Sequence, residues 1–346
     1  MQIIVVPPGE PRTKPRALNA GLIGMSAEFV VIYDAEDEPE PMQLRDAAAH
    51  FRRHDDRVVC LQGRLAIDNS GDNRLTALFA MEYAGLFEVI KPGLARMGLP
   101  VPLGGTSNHF RRAKLVELGG WDAWNVTEDA DLGIRIARAG LLVADLPSTT
   151  YEEAPRSIKA WLPQRRRWLK GWLQTIITHT RSPWRSFREL GLLGSLAVMA
   201  TIGGMMAGAL AFPILTGMFI GRLLSLATLG IGGPADWLLA TLALLVFCGG
   251  GVTIIAPVLL GLKRRGQMEL ASAAPLLVLY NFLIFVAAWG AVLELIRAPF
   301  QWNKTEHGLG TTSLRRRASL GPRPVRLPRS AARSSSGRSS VTVAPR

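Results

Sequence analysis

The chain has 346 residues, 48% of them hydrophobic, and a formal net charge of +13. That is ample apolar material for a sizeable core, in one large domain or two ordinary ones. The charge does not argue for a nucleic-acid partner, because nine arginines lie after residue 310 in a tail that contains no acid. That tail, rich in Arg, Ser and Pro, is expected to be disordered, and attraction to anionic lipid headgroups is its simplest use. Two cysteines, Cys60 and Cys248, fall in regions of opposite character. They offer no metal-ligand spacing, argue against a structural disulfide and fit a reducing cytosol.

In chain order, QIIVV at 2–6 and EFVVIY at 28–33 are short apolar runs bounded by Pro, Gly and acids. This is the pattern of strands in a parallel sheet covered on both faces. A short helix is expected between them over 15–24, then a helix over 43–53, a strand over 58–67 and a helix over 75–88. GGTSN at 104–108 opens a glycine-led loop or strand. Thr127 starts a helix with acids in its first turn, Gly140 ends it, and LLVADLP begins another strand. The stretch 158–180 is long, basic and Trp-rich.

From residue 190 onward the composition changes. The runs 190–220 and 237–262 are each long enough to cross the ~30 Å hydrocarbon core, with a kink expected at Pro213. A third apolar segment, 270–295, carries Pro275, Asn281 and Glu294. Arg181, Arg185 and Arg188 precede the first run, and Lys263, Arg264 and Arg265 follow the second, which places both flanks in the cytosol. The expected arrangement is two spans plus a third segment that is interfacial or re-entrant, with three or four full spans as the alternative.

Three short motifs carry candidate chemistry. DAED at 34–37 closes an apolar run, where ligands bind in open α/β sheets. Asp34, Glu36 and Asp37 are hard oxygen ligands suited to Mg²⁺ or Mn²⁺; the plainer reading is a solvated turn. NVTEDADL at 125–132 is a favourable helix start, from which Asp129 could project as a general base. QRRRW at 164–168 fits a basic helix lying on the membrane surface, and equally a site in which Gln164 and Trp168 meet a sugar while Arg167 approaches phosphate.

The order of these motifs, followed by apolar spans, resembles the membrane-embedded family 2 glycosyltransferases, the group that includes cellulose synthase-like polysaccharide synthases. The matching residues are Lys14 with AlaLeuAsn at 17–19, DAED, GGTSN, TED at 127–129, QRRRW and PFQWNKTEHG at 299–308. The resemblance implies an α/β fold: a GT-A (Rossmann-like) domain over 1–188, incomplete at its N-terminal side, with interfacial helices over 156–180. Transmembrane or re-entrant helices over 189–298, a gating segment over 299–310 and the basic tail over 311–346 would follow. It also implies that the missing half of the nucleotide-binding subdomain belongs to a longer chain or is supplied by another polypeptide.

By the same resemblance, Asp34 and Glu36, with Asp37 beside them, would hold Mg²⁺ or Mn²⁺, and Asp129 would deprotonate the acceptor hydroxyl. Lys14 would contact the diphosphate; Gly105, Thr106 and Ser107 would line the acceptor end; Gln164, Arg167 and Trp168 would hold pyrophosphate and acceptor sugar. The implied reaction is inverting transfer of a hexose from a UDP-sugar to a growing polysaccharide or a lipid-linked acceptor. It would take place at the inner (plasma) membrane with the catalytic domain and tail cytosolic. The competing expectations are an inactive remnant or partner subunit, and a basic membrane adaptor.

Overall fold

The computed structural model describes residues 3–229 and 233–299. Nearly all of the expected gating segment, from residue 300 on, and the whole basic tail lie outside the described residues. The first part is an α/β domain, in the order α1 (Lys14–Ile23), β1 (Phe29–Ile32), β2 (Glu38–Pro39), α2 (Gln43–Arg53), β3 (Val58–Ile67) and α3 (Arg74–Gly85). It continues through α4 (Lys91–Arg96), β4 (Asn108–Arg111), α5 (Arg112–Glu117), α6 (Glu128–Arg138), β5 (Leu142–Glu152) and α7 (Ile158–Thr180). Four long helices follow: α8 (Pro183–Val198), α9 (Met205–Leu229), α10 (Pro234–Arg265) and α11 (Leu277–Arg297).

The five strands form one sheet in the order β1-β4-β3-β5-β2. β3 is its centre, with nine of its ten residues buried, as its near-continuous apolar sequence requires. The sheet is mixed rather than parallel: β3 and β5 run parallel, while β4 is antiparallel to both β1 and β3. The strand expected over 2–6 does not form in the described part of that segment. β1 is one edge of the sheet, paired on its inner side with β4, and residues 3–6 do not add to its outer side; Ile3 and Val5 stay 77% and 83% exposed. An apolar run gains strand geometry only where a ladder partner takes up its N–H and C=O groups.

Side-chain caps mark two helix starts. Asn73 caps α3 by accepting hydrogen bonds from the N–H groups of Leu75 (2.9 Å) and Thr76 (3.1 Å), while its own N–H donates to Thr76 Oγ1 (3.1 Å). Ser157 caps α7 through Ala160 N–H at 3.2 Å. Gly191 sits at φ +66°, a conformation that costs an L-residue strain, and there the chain kinks within α8. The kink expected at Pro213 is not a break: Pro213 lies inside α9.

The core does not stop at the domain boundary. One buried cluster joins Ile67 of β3, Phe79 and Met81 of α3 and Trp161 of α7 to Leu262 of α10 and Tyr280 and Ala287 of α11. A second, on Val59, Phe110, Leu132, Ile136 and Val143, packs α6 against the sheet. The apolar helices are therefore packed onto the α/β domain, not tethered to it.

Among the described residues, three segments are long and apolar enough to cross a membrane: 183–225, Pro234–Arg265 and Met268–Arg297. The third thus meets the length and composition of the first two. Its opening, Met268–Leu276, is a 3-10 helix, and α11 alone is about 31 Å long at ~1.5 Å per residue. The basic end of α10 sits on the α/β domain. Arg265 donates to Glu88 Oε1 (3.0 Å) and Leu65 O (2.6 Å), and Arg264 donates to Glu88 O.

Candidate active site

The loops at one end of the sheet bring the motifs together. Lys14, at the start of α1, is paired with Asp34 Oδ1 and donates to Gly105 O at 2.9 Å. Although burial works against its charge, Asp34 and then Glu128 and Asp129 hold Lys14 above its ordinary value. One ammonium therefore links DAED, GGTSN and TED. Arg167 of α7 also faces Glu128, Asp129 and Asp34; burial lowers it against those three acids.

DAED forms a closed turn. Asp37 N–H donates to Asp34 O (3.1 Å), and Asp34 N–H donates back to Asp37 Oδ2 (2.7 Å). Thr106 Oγ1 donates to the same Asp37 oxygen. Burial, and then repulsion from Asp34 and Glu36, push Asp37 up to about 6 despite those hydrogen bonds. Burial and Asp37 push Tyr33 to about 12.

Among the described residues no three His, Cys, Asp or Glu side chains are grouped as a ready metal cage. Asp34, Glu36 and Asp37 thus stand as a turn whose outer two carboxylates are held, one by Lys14 and one by Thr106. Two carboxylates still suit Mg²⁺ or Mn²⁺ when substrate phosphates complete the shell, as is usual for Mg²⁺.

GGTSN is fixed from beneath. Gly63 N–H donates to Ser107 O and Ser107 N–H to Ile32 O, both at 2.8 Å. Ser107 takes φ +57°, unusual for a non-glycine residue. Its hydroxyl is spent on Thr150 Oγ1, and Thr106 and Ser107 are both buried. Of the three residues expected to line the acceptor end, Gly105 is the exposed one, and a Cβ there would stand 3.5 Å from Asp129 Oδ2.

Asp129 lies in the first turn of α6, its Oδ1 accepting from Ala130 N–H at 2.8 Å. Burial raises it, opposed by that N–H, by Lys91 and by Lys14. Burial and then Asp129 push the adjacent Glu128 to about 8. Glycine is required where α7 crosses this helix start, since a Cβ on Gly171 would fall 2.4 Å from Thr127 Oγ1.

QRRRW divides its residues. Gln164 is buried and Arg167 faces the acids, but Arg165 turns into the core to make a bidentate pair with Glu82 at 2.6 and 2.7 Å. Trp168 is half-buried, its ring centroid 5.9 Å from that of Phe79 and 4.8 Å from the Arg165 guanidinium carbon.

Two residues that no motif marks complete the cluster. Lys91 opens α4 and faces Asp129 and Glu152; burial lowers it to about 8. Glu152 ends β5, receives the Tyr83 hydroxyl at 3.3 Å, and is pushed to about 8 by burial, then by Asp37 and Asp34. The sequence does carry faint signals: a lone lysine in the apolar run LFEVIKPGL, and an acid where a strand runs into the QRRRW helix.

The chain is similar to known glycosyltransferases. Residues 29–256 match the sequence profile described as Glycosyl transferase family group 2. "Probable glycosyltransferase YdaM" of Bacillus subtilis (strain 168) is 28% identical over 170 residues, which is 49% of this chain and 40% of that protein. "Glucomannan 4-beta-mannosyltransferase 2" of Arabidopsis thaliana is 31% identical over 147 residues, 42% of this chain and 27% of that protein. The chain therefore spans less than half the length of these curated relatives. Among solved structures, the mannosyltransferase PcManGT from Pyrobaculum calidifontis, in complex with GDP-Man and Mn²⁺, aligns over 73% of this chain and 67% of its own. Its identity is 21% and the TM-score 0.37. With a GT-A-like mixed-sheet domain, long apolar helices after it and a profile match over more than half its length, the chain belongs to glycosyltransferase family 2.

Proposed function

We propose that the chain transfers a hexose from a nucleoside-diphosphate sugar to a growing polysaccharide at the cytosolic face of the plasma membrane, inverting the anomeric centre. The observation that carries this reading is the single cluster in which Lys14 and Arg167 face both Asp34 and Asp129. The acceptor hydroxyl oxygen forms the new bond to the anomeric carbon while the bond from that carbon to the diphosphate oxygen breaks. Asp129 takes the hydroxyl proton, and the electron pair leaves on the diphosphate. A single displacement from the face opposite the leaving group inverts the carbon. A carboxyl raised by burial is a stronger base, and Lys91 and Lys14 act in the opposite sense, favouring its charged form. Lys14 and Arg167 supply positive charge where the diphosphate leaves. Asp34 and Glu36, with Asp37 beside them, would hold Mg²⁺ or Mn²⁺, which supplies Lewis-acid stabilisation of that diphosphate when bound.

The motifs favour a UDP-sugar as donor. The plant relatives, whose names give a glucomannan mannosyltransferase activity, favour mannose as the sugar. For the membrane, Tyr280 and Glu294, well apart on α11, both touch α7, through Trp161 (centroids 5.4 Å) and Lys170 (2.7 Å). Contact along that length supports an α11 that lies beside the interfacial helix, with α9 and α10 as the crossing pair.

Detergent-purified protein should bind UDP or GDP in a Mn²⁺-dependent manner and release nucleoside diphosphate from UDP-glucose, UDP-N-acetylglucosamine or GDP-mannose. Asp129→Asn should cut that release by roughly 10²–10⁴-fold with nucleotide affinity retained. Absence of binding at millimolar nucleotide would favour the inactive remnant or partner subunit. An active Asp129→Asn would remove the base from its role.

A further inference from the structure

The turn that leads into the TED acids is pinned by one helix. Asn125 Nδ2 donates to Thr175 Oγ1 of α7 at 2.9 Å, and Asn125 Oδ1 accepts from Thr127 N–H at 3.0 Å. Asn125, Thr127 and Thr175 are all buried, and α7 passes so close to Thr127 that a Cβ at position 171 would collide with it. Thr127 gives α6 no side-chain cap. The direction in which Glu128 and Asp129 leave the turn is therefore set by what holds residues 125–127 to α7.

The same stretch of α7 seats the end of α11. Lys170, fully buried, pairs with Glu294 at 2.7 Å and lies 3.4 Å from Ala298 O. Gln174 reaches both structures. Its Oε1 accepts from Val126 N–H at 3.2 Å, and its Nε2 donates to Pro299 O at 2.9 Å. Val126 N–H stands before the first turn of α6 and Pro299 C=O beyond the last turn of α11, so neither group is served by its own helix. A primary amide, acceptor at one atom and donor at the next, meets both needs at once. Both contacts are to main chain, so the bridge fixes backbone position three residues before Asp129.

We infer that Gln174 is a positioning residue for Asp129, bracing the turn from which the base projects against the end of α11. This rests on the transfer reaction proposed above. It adds that the place of the base is set in part by an apolar helix, and that a shift of α11 along α7 reaches the site through Val126.

The test separates placement of the base from binding of the donor. Wild-type protein, Gln174→Met, Gln174→Asn and Gln174→Glu would be assayed for Mn²⁺-dependent UDP and GDP affinity. Transfer from UDP-glucose, UDP-N-acetylglucosamine or GDP-mannose to mannotetraose or cellotetraose would be measured in parallel, with kcat expressed per nucleotide-binding site. Met keeps the length without the amide, and Asn keeps the amide but is a methylene too short to span both partners. A displaced catalytic group costs rate rather than ground-state binding, so both variants should lose about tenfold in kcat, with donor KM and nucleotide affinity within about twofold of wild type. Gln174→Glu keeps the oxygen that receives Val126 N–H and should recover part of the loss. An unchanged kcat in both Gln174→Met and Gln174→Asn overturns the inference, as does nucleotide affinity that falls in step with kcat; if Gln174→Met does not fold, Gln174→Asn decides. Wild-type protein that neither binds nor turns over any of the nucleotides would instead sink the proposed function, and this inference with it.

Discussion

One helix, α7, serves two charged clusters that are built on opposite terms. On the core side Arg165 is 2% exposed and fully matched: two bonds to Glu82, one to the Tyr280 hydroxyl at 2.9 Å, and the rings of Phe79, Trp161 and Trp168 around its guanidinium. Lys170, buried deeper still, pairs with Glu294 at 2.7 Å. On the cleft side, two residues on from Arg165, Arg167 faces Glu128, Asp129 and Asp34, in a cluster where burial pushes Glu128, Asp129 and the nearby Asp37 upward. Matched charge holds the α/β domain onto the apolar helices. Mismatched charge is held in place by that rigidity, and under the proposed function it is what a substrate, a metal and a proton would answer.

The largest expected effect breaks the matched cluster. Arg165→Met strands Glu82 beside Tyr280 and removes the tie between α3, α7 and α11, and should cost about 3–5 kcal/mol, read as thermal unfolding in detergent. A shift of less than ~1 kcal/mol would show that the pair adds nothing to the core packing around it. By contrast Asp129→Asn, which discharges a buried acid, should leave stability within about 1 kcal/mol of wild type or raise it while abolishing transfer.

The joint between the clusters can also be moved. Gly171→Ala drives a methyl group onto Thr127 and should cost about 1–3 kcal/mol, with a fall in transfer larger than the fall in nucleotide affinity because α6 carries Asp129.

The cleft side can also be read as a slope. Glu128 and Glu152 titrate near 8 in the folded chain against an ordinary 4.5, so between those values the folded state holds protons that the unfolded state has lost. Stability of the nucleotide-free protein should therefore fall as pH rises from about 4.5 to 8, and Glu152→Gln should flatten part of that fall. A flat profile in wild type would mean that these acids are solvated or neutralised.

The sequence alone determined the elements and the participants. Strand β3 over 58–67, helix α2 over 43–53 and helix α7 over 158–180 were legible because apolar periodicity and capping act within one element. So were the motifs, since their residue types announce their chemistry. The tertiary structure decided what depends on partners. QIIVV has the composition of a strand but no neighbour to pair with, and the sheet proved mixed because β4 runs against both β1 and β3. In QRRRW, sequence cannot say which arginine meets the core and which the cleft; that follows from where α3 and α11 pack. Lys91 and Glu152 stayed hidden for the same reason, being distant in the chain and brought within reach of the motif acids by folding. Propensity is a property of neighbouring residues, whereas burial, pairing and charge compensation belong to surfaces that exist only once the chain has closed on itself.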